Sequence, residues 1–213
     1  MIPEEVATLT TSDGVVLETR LAIPSSLRGG IVVCHPHPLY GGDMENPVVV
    51  RIAEVCSDLG LATLRFNFRG VGRSAGVHDG GASEQRDVEA ALAHLADLVG
   101  AERPLALAGY SFGATVAARL APRHAGLAGL ALVAPPLARV DHGQFAALAA
   151  FGGRLLLVAG THDEVCPVDA LTRLGEALPG AMLDVIEGAN HFFFGKLFPL
   201  GEGVTTWARR ALL

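Results

Sequence analysis

The sequence predicts an α/β fold built on a mostly parallel, twisted sheet with helices on both faces. From residue 30 onward, short aliphatic or β-branched runs alternate with longer amphipathic stretches. Continuous apolar runs of this length are typical of strands buried on both faces, and the alternation predicts right-handed β-α-β crossovers. Gly60, Gly100 and Gly180 stand where three of the helices should end.

The first elements of the chain are expected to form a β-hairpin. Apolar and polar residues alternate on either side of Ser12-Asp13-Gly14, which suits a turn. Six further strands are expected at the aliphatic runs Ile31–Cys34, Ala62–Phe66, Leu105–Ala108, Leu130–Val133, Leu155–Val158 and Leu183–Ile186. The helix candidates between them are residues 45–59, 84–99, 112–121, 142–150, 168–178 and 196–212.

Composition and charge narrow the class of protein. The 213 residues contain no repeat or linker, so one domain over residues 1–213 is expected. A net charge of −6 without runs of Lys or Arg argues against nucleic acid as a partner. Three cysteines without a C-x-x-C pair indicate a reducing compartment rather than a disulfide framework. Without a signal-peptide pattern or an apolar stretch long enough for a membrane, we expect a cytoplasmic protein with no membrane partner.

One serine lies in the context that a nucleophile needs. Parallel sheets place ligands beyond the carboxyl ends of their strands. There the segment Gly109-Tyr110-Ser111-Phe112-Gly113 follows a strand and leads into a helix, which is the strand–turn–helix setting of a G-x-S-x-G nucleophile elbow. The alternative for Ser111 is a purely structural role as the N-cap of the following helix. A second copy, Gly72–Gly76, has neither a strand directly before it nor a helix after it, so Ser74 is interpreted as part of a glycine-rich loop.

An acid and a base follow the serine in the order that this kind of site requires. Asp163 comes directly after the Leu155 strand, and His191 follows the Leu183 strand. His191 is expected to take the proton of the Ser111 hydroxyl. Asp163 is expected to fix the tautomer of the His191 ring and to stabilise the imidazolium that forms. Glu164 and Asp169 are rival acids, and Asp163 is favoured because it lies nearest the strand end. The alternatives are a turn residue for Asp163 and a surface histidine for His191.

The loop from Cys34 to Gly42 is expected to help form an oxyanion hole. Acyl transfer builds negative charge on a carbonyl oxygen, and two oriented N–H groups stabilise it. One should be the backbone N–H of Phe112. The other is expected from His37, because the prolines on either side of it have no N–H. Leu39 and Tyr40 are the alternatives.

A metal site is a competing interpretation of the same loop. His35 and His37 form an H-x-H pair at a strand end, which His162 or Asp163 could complete. The pattern is weak, and no cysteine pair accompanies it. We therefore expect no metal ligands.

Several segments resemble those of a known family. Gly109–Gly113, Gly160-x-x-Asp163 and Asn190-His191-Phe192 resemble the signature regions of α/β-hydrolases, and residues 35–42 and 66–74 are similar to a small lidless bacterial branch near the dienelactone hydrolases. The resemblance spans residues 5 to about 210. It implies the α/β-hydrolase fold of about eight strands, a Ser–Asp–His triad and no cofactor. The loop has His-Pro where many relatives have His-Gly. Dienelactone hydrolases usually carry cysteine in place of Ser111, which speaks against that substrate.

The expected function is hydrolysis of a small acyl compound. Residues 134–154 are too few for a large lid, so we expect an open pocket that takes a small-molecule acyl substrate. The candidates for its wall, Leu39, Tyr40, Phe112, Phe192 and Phe193, are equally compatible with core packing. A carboxylic ester hydrolase that forms an acyl-enzyme intermediate is favoured, with a thioesterase, a peptidase or a non-catalytic binding protein as alternatives. Cys166 is a further candidate nucleophile, but it is not preceded by a strand and a tight turn of the elbow type.

Overall fold

The sheet begins with an antiparallel hairpin, as the sequence predicts. In the computed structural model, which describes residues 2–178 and 180–213, strand β1 (Glu5–Thr10) pairs with β2 (Val16–Ala22). Gly14 adopts φ +81° in the turn between them, a conformation that suits glycine. β2 then pairs antiparallel with the strand Leu61–Phe66, so the hairpin forms one edge of the sheet.

The remaining strands form the parallel part of the sheet. Each predicted apolar run lies inside one of the observed strands, which are β3 (Gly29–Cys34), β4 (Leu61–Phe66), β5 (Leu105–Tyr110), β6 (Leu127–Val133), β7 (Arg154–Gly160) and β8 (Met182–Ile186). The strand order is β1-β2-β4-β3-β5-β6-β7-β8, and every neighbouring pair from β4 to β8 is parallel.

Helices cover both faces, as predicted. The crossover from β3 to β4 runs in the opposite direction along the sheet to those that follow, and right-handed crossovers of opposite direction lie on opposite faces. The helix of that first crossover packs against the C-terminal helix, and the next two helices pack against each other. The helices are α1 (Pro47–Asp58), α2 (Glu84–Val99), α3 (Phe112–Leu120), α4 (Val168–Glu176) and α5 (Leu197–Leu212).

Glycine ends two of these helices as expected. Gly60 and Gly100 follow the ends of α1 and α2 with φ of +86° and +83°. Gly180 also has positive φ, at +86°, but it lies four residues beyond Glu176, where α4 ends.

The segment between β6 and β7 differs from the prediction in one respect. His142–Ala150 forms a 3₁₀ helix rather than an α-helix. Its two buried side chains, Phe145 and Leu148, are three residues apart, which matches the three-residue repeat of a 3₁₀ helix and puts both on one side. This short element is all the regular structure in residues 134–153, so the connection provides no large lid. No helix within the described ranges combines the length and apolar character needed to cross a membrane.

A close backbone approach joins the ends of β7 and β8. A Cβ atom on Gly160 would collide with the carbonyl group of Ala189, in the turn after β8. The same carbonyl accepts a hydrogen bond from the N–H of His162 (2.8 Å). Gly160 therefore allows the loops that follow these two strands to lie against each other.

We expect Gly160→Ala to destabilise the fold. The added methyl group meets backbone atoms that cannot rotate away, and overpacking of this kind costs about 1–3 kcal/mol. Gly152→Ala is the matched control, because a Cβ there meets nothing within 4 Å and loses only unfolded-state freedom. Thermal unfolding should show a lower Tm for Gly160→Ala and an unchanged or slightly raised Tm for Gly152→Ala. Equal Tm values for the two variants would contradict the close approach.

Candidate active site

The turn between β5 and α3 holds Ser111 in a strained conformation. Its φ of 53° and ψ of −113° lie in a region that non-glycine residues rarely adopt, at a typical cost of about 1–3 kcal/mol. Two flanking glycines make the turn possible. A Cβ on Gly109 would collide with the backbone of Gly113, and a Cβ on Gly113 would collide with the carbonyl oxygens of Cys34 and His35. This is the physical reason for the G-x-S-x-G pattern.

The structure brings Ser111, His191 and Asp163 together, although 80 residues separate the first two in sequence. The Ser111 hydroxyl lies 3.0 Å from Nε2 of His191, and Nδ1 of His191 lies 2.9 and 3.0 Å from the two Asp163 oxygens. The buried carboxylate also accepts the N–H groups of Val165 (2.9 Å) and Cys166 (2.8 Å), which fix its orientation. The arrangement can pass a proton from the hydroxyl to the imidazole and stabilise the resulting cation.

The rival groups lie elsewhere. Glu164 is exposed to solvent, and Asp169 is exposed and paired with Arg173 at 2.9 Å. The Cys166 thiol is completely buried, and burial raises its pKa far above the ordinary value, so it stays protonated. Among these candidates, only Asp163 reaches His191.

Two aromatic residues anchor the loop that carries His191. The hydroxyl of Tyr110 donates to the backbone carbonyl of His191 (2.8 Å), and the two rings lie 5.6 Å apart. Phe193 has φ +54° and a fully buried side chain, so it belongs to the core and not to the pocket wall. The Tyr110 contact was missed from the sequence, because the second position of G-x-S-x-G accepts any residue.

The expected oxyanion donors lie next to each other. Phe112 is the first residue of α3, where its N–H has no acceptor within the helix. The rings of His37 and Phe112 are 4.9 Å apart. The N–H groups of the alternatives, Leu39 and Tyr40, are used locally, since they donate to Nδ1 (3.2 Å) and the carbonyl oxygen (3.1 Å) of His37. His37 therefore remains the predicted second donor.

A second histidine–carboxylate pair supports this corner of the site. The His78 ring lies 5.0 Å from the His37 ring and 5.2 Å from the Phe112 ring. Nδ1 of His78 is 2.6 Å from the fully buried carboxylate of Glu84, which also accepts the N–H of Gly81 (2.7 Å). Sequence reasoning missed this pair, because neither residue belongs to a motif and the glycine-rich loop that joins them has no periodicity.

His35 has a structural role at the end of β3. It is fully buried, Nδ1 donates to the carbonyl of Pro36 (2.7 Å), and Nε2 accepts the N–H of Phe68 (3.0 Å). Both ring nitrogens are therefore engaged, and His35 has none to offer to a metal ion. Burial lowers the pKa of His35 to about 4, so the ring is neutral near pH 7.

A cavity of about 570 Å³ opens above the serine. Ser111, Phe112 and His191 lie at its base, and Tyr40 and Phe192 form part of its wall. Leu39, the third residue expected to contact substrate, is 75% exposed and is not part of the lining. The 3₁₀ turn Pro38–Tyr40 directs Tyr40 toward the cavity and Leu39 away from it.

The second G-x-S-x-G copy has a structural role, as expected. Ser74 is buried, its hydroxyl donates to the carbonyl of Asn67 (2.7 Å), and it accepts the N–H of Glu18 (2.9 Å). These bonds join the glycine-rich loop after β4 to β2. No base among the described residues is hydrogen-bonded to this hydroxyl.

Comparison with known proteins places this chain in a family. Residues 32–197 match the family described as alpha/beta hydrolase domain. An uncharacterised protein of Rickettsia prowazekii is 34% identical over 198 residues, which cover 90% of this chain and 83% of the relative. An α/β serine hydrolase homologue from Coxiella burnetii is 35% identical, covers 97% of both chains and superposes with a TM-score of 0.86. A lidless α/β serine hydrolase from Xanthomonas campestris is 32% identical, covers 100% of this chain and 97% of the other, and has a TM-score of 0.87.

We expect His35 to make stability depend on pH between about 6.5 and 4. In that range the unfolded imidazole binds a proton, whereas the buried one stays neutral. The free energy of unfolding should therefore fall as pH is lowered, by about 3 kcal/mol in total from this residue. His35→Gln keeps a donor and an acceptor but does not titrate. Urea denaturation from pH 7 to 4 should give a shallower slope for His35→Gln, and parallel curves would contradict the assignment.

Proposed function

Because this chain is a hydrolase that belongs to the α/β-hydrolase family, we propose that it is a serine hydrolase that cleaves carboxylic esters. The observation that carries the proposal is the hydrogen-bonded series Ser111–His191–Asp163 on a strained elbow. A serine hydroxyl is a weak nucleophile until a base takes its proton, and this geometry supplies that base.

Acylation begins when Oγ of Ser111 attacks the carbonyl carbon of the ester while its proton passes to Nε2 of His191. Asp163 stabilises the imidazolium that forms. The carbonyl oxygen becomes an oxyanion, to which the N–H groups of Phe112 and His37 donate. The imidazolium then gives its proton to the leaving alkoxide oxygen, the ester C–O bond breaks, and an alcohol departs.

Deacylation repeats these steps with water. His191 takes a proton from water, whose oxygen attacks the acyl carbon of the Ser111 ester. When the tetrahedral intermediate collapses, the bond between the acyl carbon and Oγ breaks and His191 returns the proton to Ser111. The products are a carboxylic acid and the free enzyme, and no cofactor takes part in the proposed cycle.

The cavity favours small or extended acyl groups. The structure of the β6–β7 segment leaves the cavity open, and the aromatic side chains of Tyr40 and Phe192 are exposed at its mouth. Thioesters and amides present the same reacting carbonyl, so thioesterase and peptidase activities are the alternatives. p-Nitrophenyl esters, acyl-CoA thioesters and aminoacyl amides compared at equal concentration distinguish the three.

We expect a fluorophosphonate probe to label Ser111 and the label to disappear in Ser111→Ala. Ester turnover by that variant should fall at least about a thousandfold, because no other activated nucleophile is present in the site. Mass spectrometry of the labelled peptide identifies the serine. Folded protein that the probe does not label would remove the serine hydrolase proposal and leave a binding protein with the same fold.

Ser74→Ala is the matched serine variant, with the opposite expected outcome. Loss of its hydroxyl leaves the partly buried N–H of Glu18 without its acceptor, which costs about 1 kcal/mol of stability. Its kcat/KM should stay within a few-fold of wild type, whereas its Tm should fall. Loss of turnover without loss of stability in Ser74→Ala would show that Ser74, and not Ser111, is the nucleophile.

A further inference from the structure

The active-site cavity carries positive charge without a neutralising acid. Arg119 and Arg139 belong to its lining, which includes no Asp or Glu among the described residues. The whole chain has a net charge of −6, so the absence of acids here does not follow from composition. A concave surface with charge of one sign attracts ligands of the opposite sign.

Both arginines lack a carboxylate partner. Nε and Nη2 of Arg119 donate to Oε1 of Gln144, a neutral amide, so its charge is not compensated. No salt bridge within the described ranges includes Arg119 or Arg139. The contrast within the chain is Arg69, which is paired with Asp13 (2.9 Å) and Asp87 (2.7 Å).

A buried hydroxyl beside Arg119 also lacks a partner. Thr115 lines the cavity, is 4% exposed, and forms no hydrogen bond at Oγ1 with any residue that the structure describes. Buried polar atoms are normally paired and an unpaired one costs stability, so a ligand that bonds to this hydroxyl would supply the missing partner. Ser111, Thr115 and Arg119 follow each other at intervals of four along one face of α3.

The glycine-rich loop leaves room for the guanidinium group. A Cβ on Gly81 would lie 2.8 Å from Nη1 of Arg119, so a side chain at that position would displace it. Glu84, the nearest acid of this loop in sequence, directs its oxygens to His78 and to backbone N–H groups rather than into the cavity.

We propose that the cavity contains an anion subsite formed by Arg119, Arg139 and Thr115, and that the substrate is an ester whose acyl part ends in a carboxylate. The proposal rests on the proposed function, because Ser111 at the other end of the same helix face cleaves the ester. Eight residues rise about 12 Å along an α-helix, so a distance of this order separates the backbone positions of Ser111 and Arg119. The carboxylate should therefore be separated from the reacting carbonyl by several carbon atoms, as in a monoester of a dicarboxylic acid.

The test compares p-nitrophenyl adipate, whose free end is a carboxylate, with p-nitrophenyl adipamate, whose free end is the matching neutral amide. The measured quantity is the ratio of their kcat/KM values. Wild type should prefer the adipate, and this preference should weaken as ionic strength rises. Arg119→Gln and Arg139→Gln should each lower the ratio about tenfold, and Thr115→Val several-fold, because each removes a donor to the carboxylate. Arg209→Gln, which removes an exposed charge on α5, should leave the ratio unchanged.

A binding measurement separates this proposal from the proposed function. In calorimetric titrations, the Ser111→Ala protein should bind monoethyl adipate with higher affinity than ethyl adipamate. This difference in affinity should disappear in the double variant that also carries Arg119→Gln. If the fluorophosphonate does not label folded wild-type protein, and that protein still binds monoethyl adipate in preference to ethyl adipamate, the subsite is supported and the hydrolase is overturned. Turnover of both esters without preference, and an unchanged ratio in Arg119→Gln, would overturn the subsite and keep the hydrolase.

Discussion

The contact between the start of α3 and the end of β3 determines where the proposed nucleophile and the proposed oxyanion donors can lie. Gly113 brings the helix backbone against the carbonyl oxygens of Cys34 and His35, at a separation that any Cβ would prevent. That contact holds Ser111 at positive φ, with its hydroxyl above the sheet edge, and places the N–H of Phe112 beside the loop of His37. The local strain, about 1–3 kcal/mol, is offset by the burial of β5 and the core-facing side of α3.

The other two groups of the site come from strands that are not neighbours of β5. The sheet order puts β6 between β5 and β7, and β8 one strand further out, so the base must return across the sheet edge to meet the serine. Two contacts make this return possible: Gly160 lets the loop of Ala189 lie against the end of β7, and the Tyr110 hydroxyl ties the carbonyl of His191 to the strand that carries the serine. Tyr110 and Ser111, which are adjacent in sequence, thus position the proposed base and supply the proposed nucleophile.

The sequence predicts the parts of this molecule that depend on local pattern. Strands and α-helices can be located because burial imposes a periodic pattern of apolar residues. Ser111 can be distinguished from Ser74 because the sequence predicts a strand before Ser111 and a helix after it, and neither at Ser74. What the sequence did not show depends on contacts between distant segments: the 3₁₀ form of His142–Ala150, the tie from Tyr110, and the pairing of His78 with Glu84. Side-chain direction within a short turn, which separates Leu39 from Tyr40, likewise follows from backbone geometry and not from residue type.

Two kinds of group give the cavity its positive potential: backbone N–H groups and the guanidinium groups of arginines. Burial, with a further contribution from His78, lowers the pKa of His37, so the ring beside the expected oxyanion position is neutral near pH 7. Charge stabilisation there must then come from N–H groups, which are fixed before the reaction and need no protonation step. The permanent cations of the lining are Arg119, on α3, and Arg139, on the segment between β6 and β7. In the proposed reaction, the transient oxyanion and the fixed carboxylate therefore bind to different groups, and attraction for the substrate does not require a cation next to the imidazolium that forms on His191.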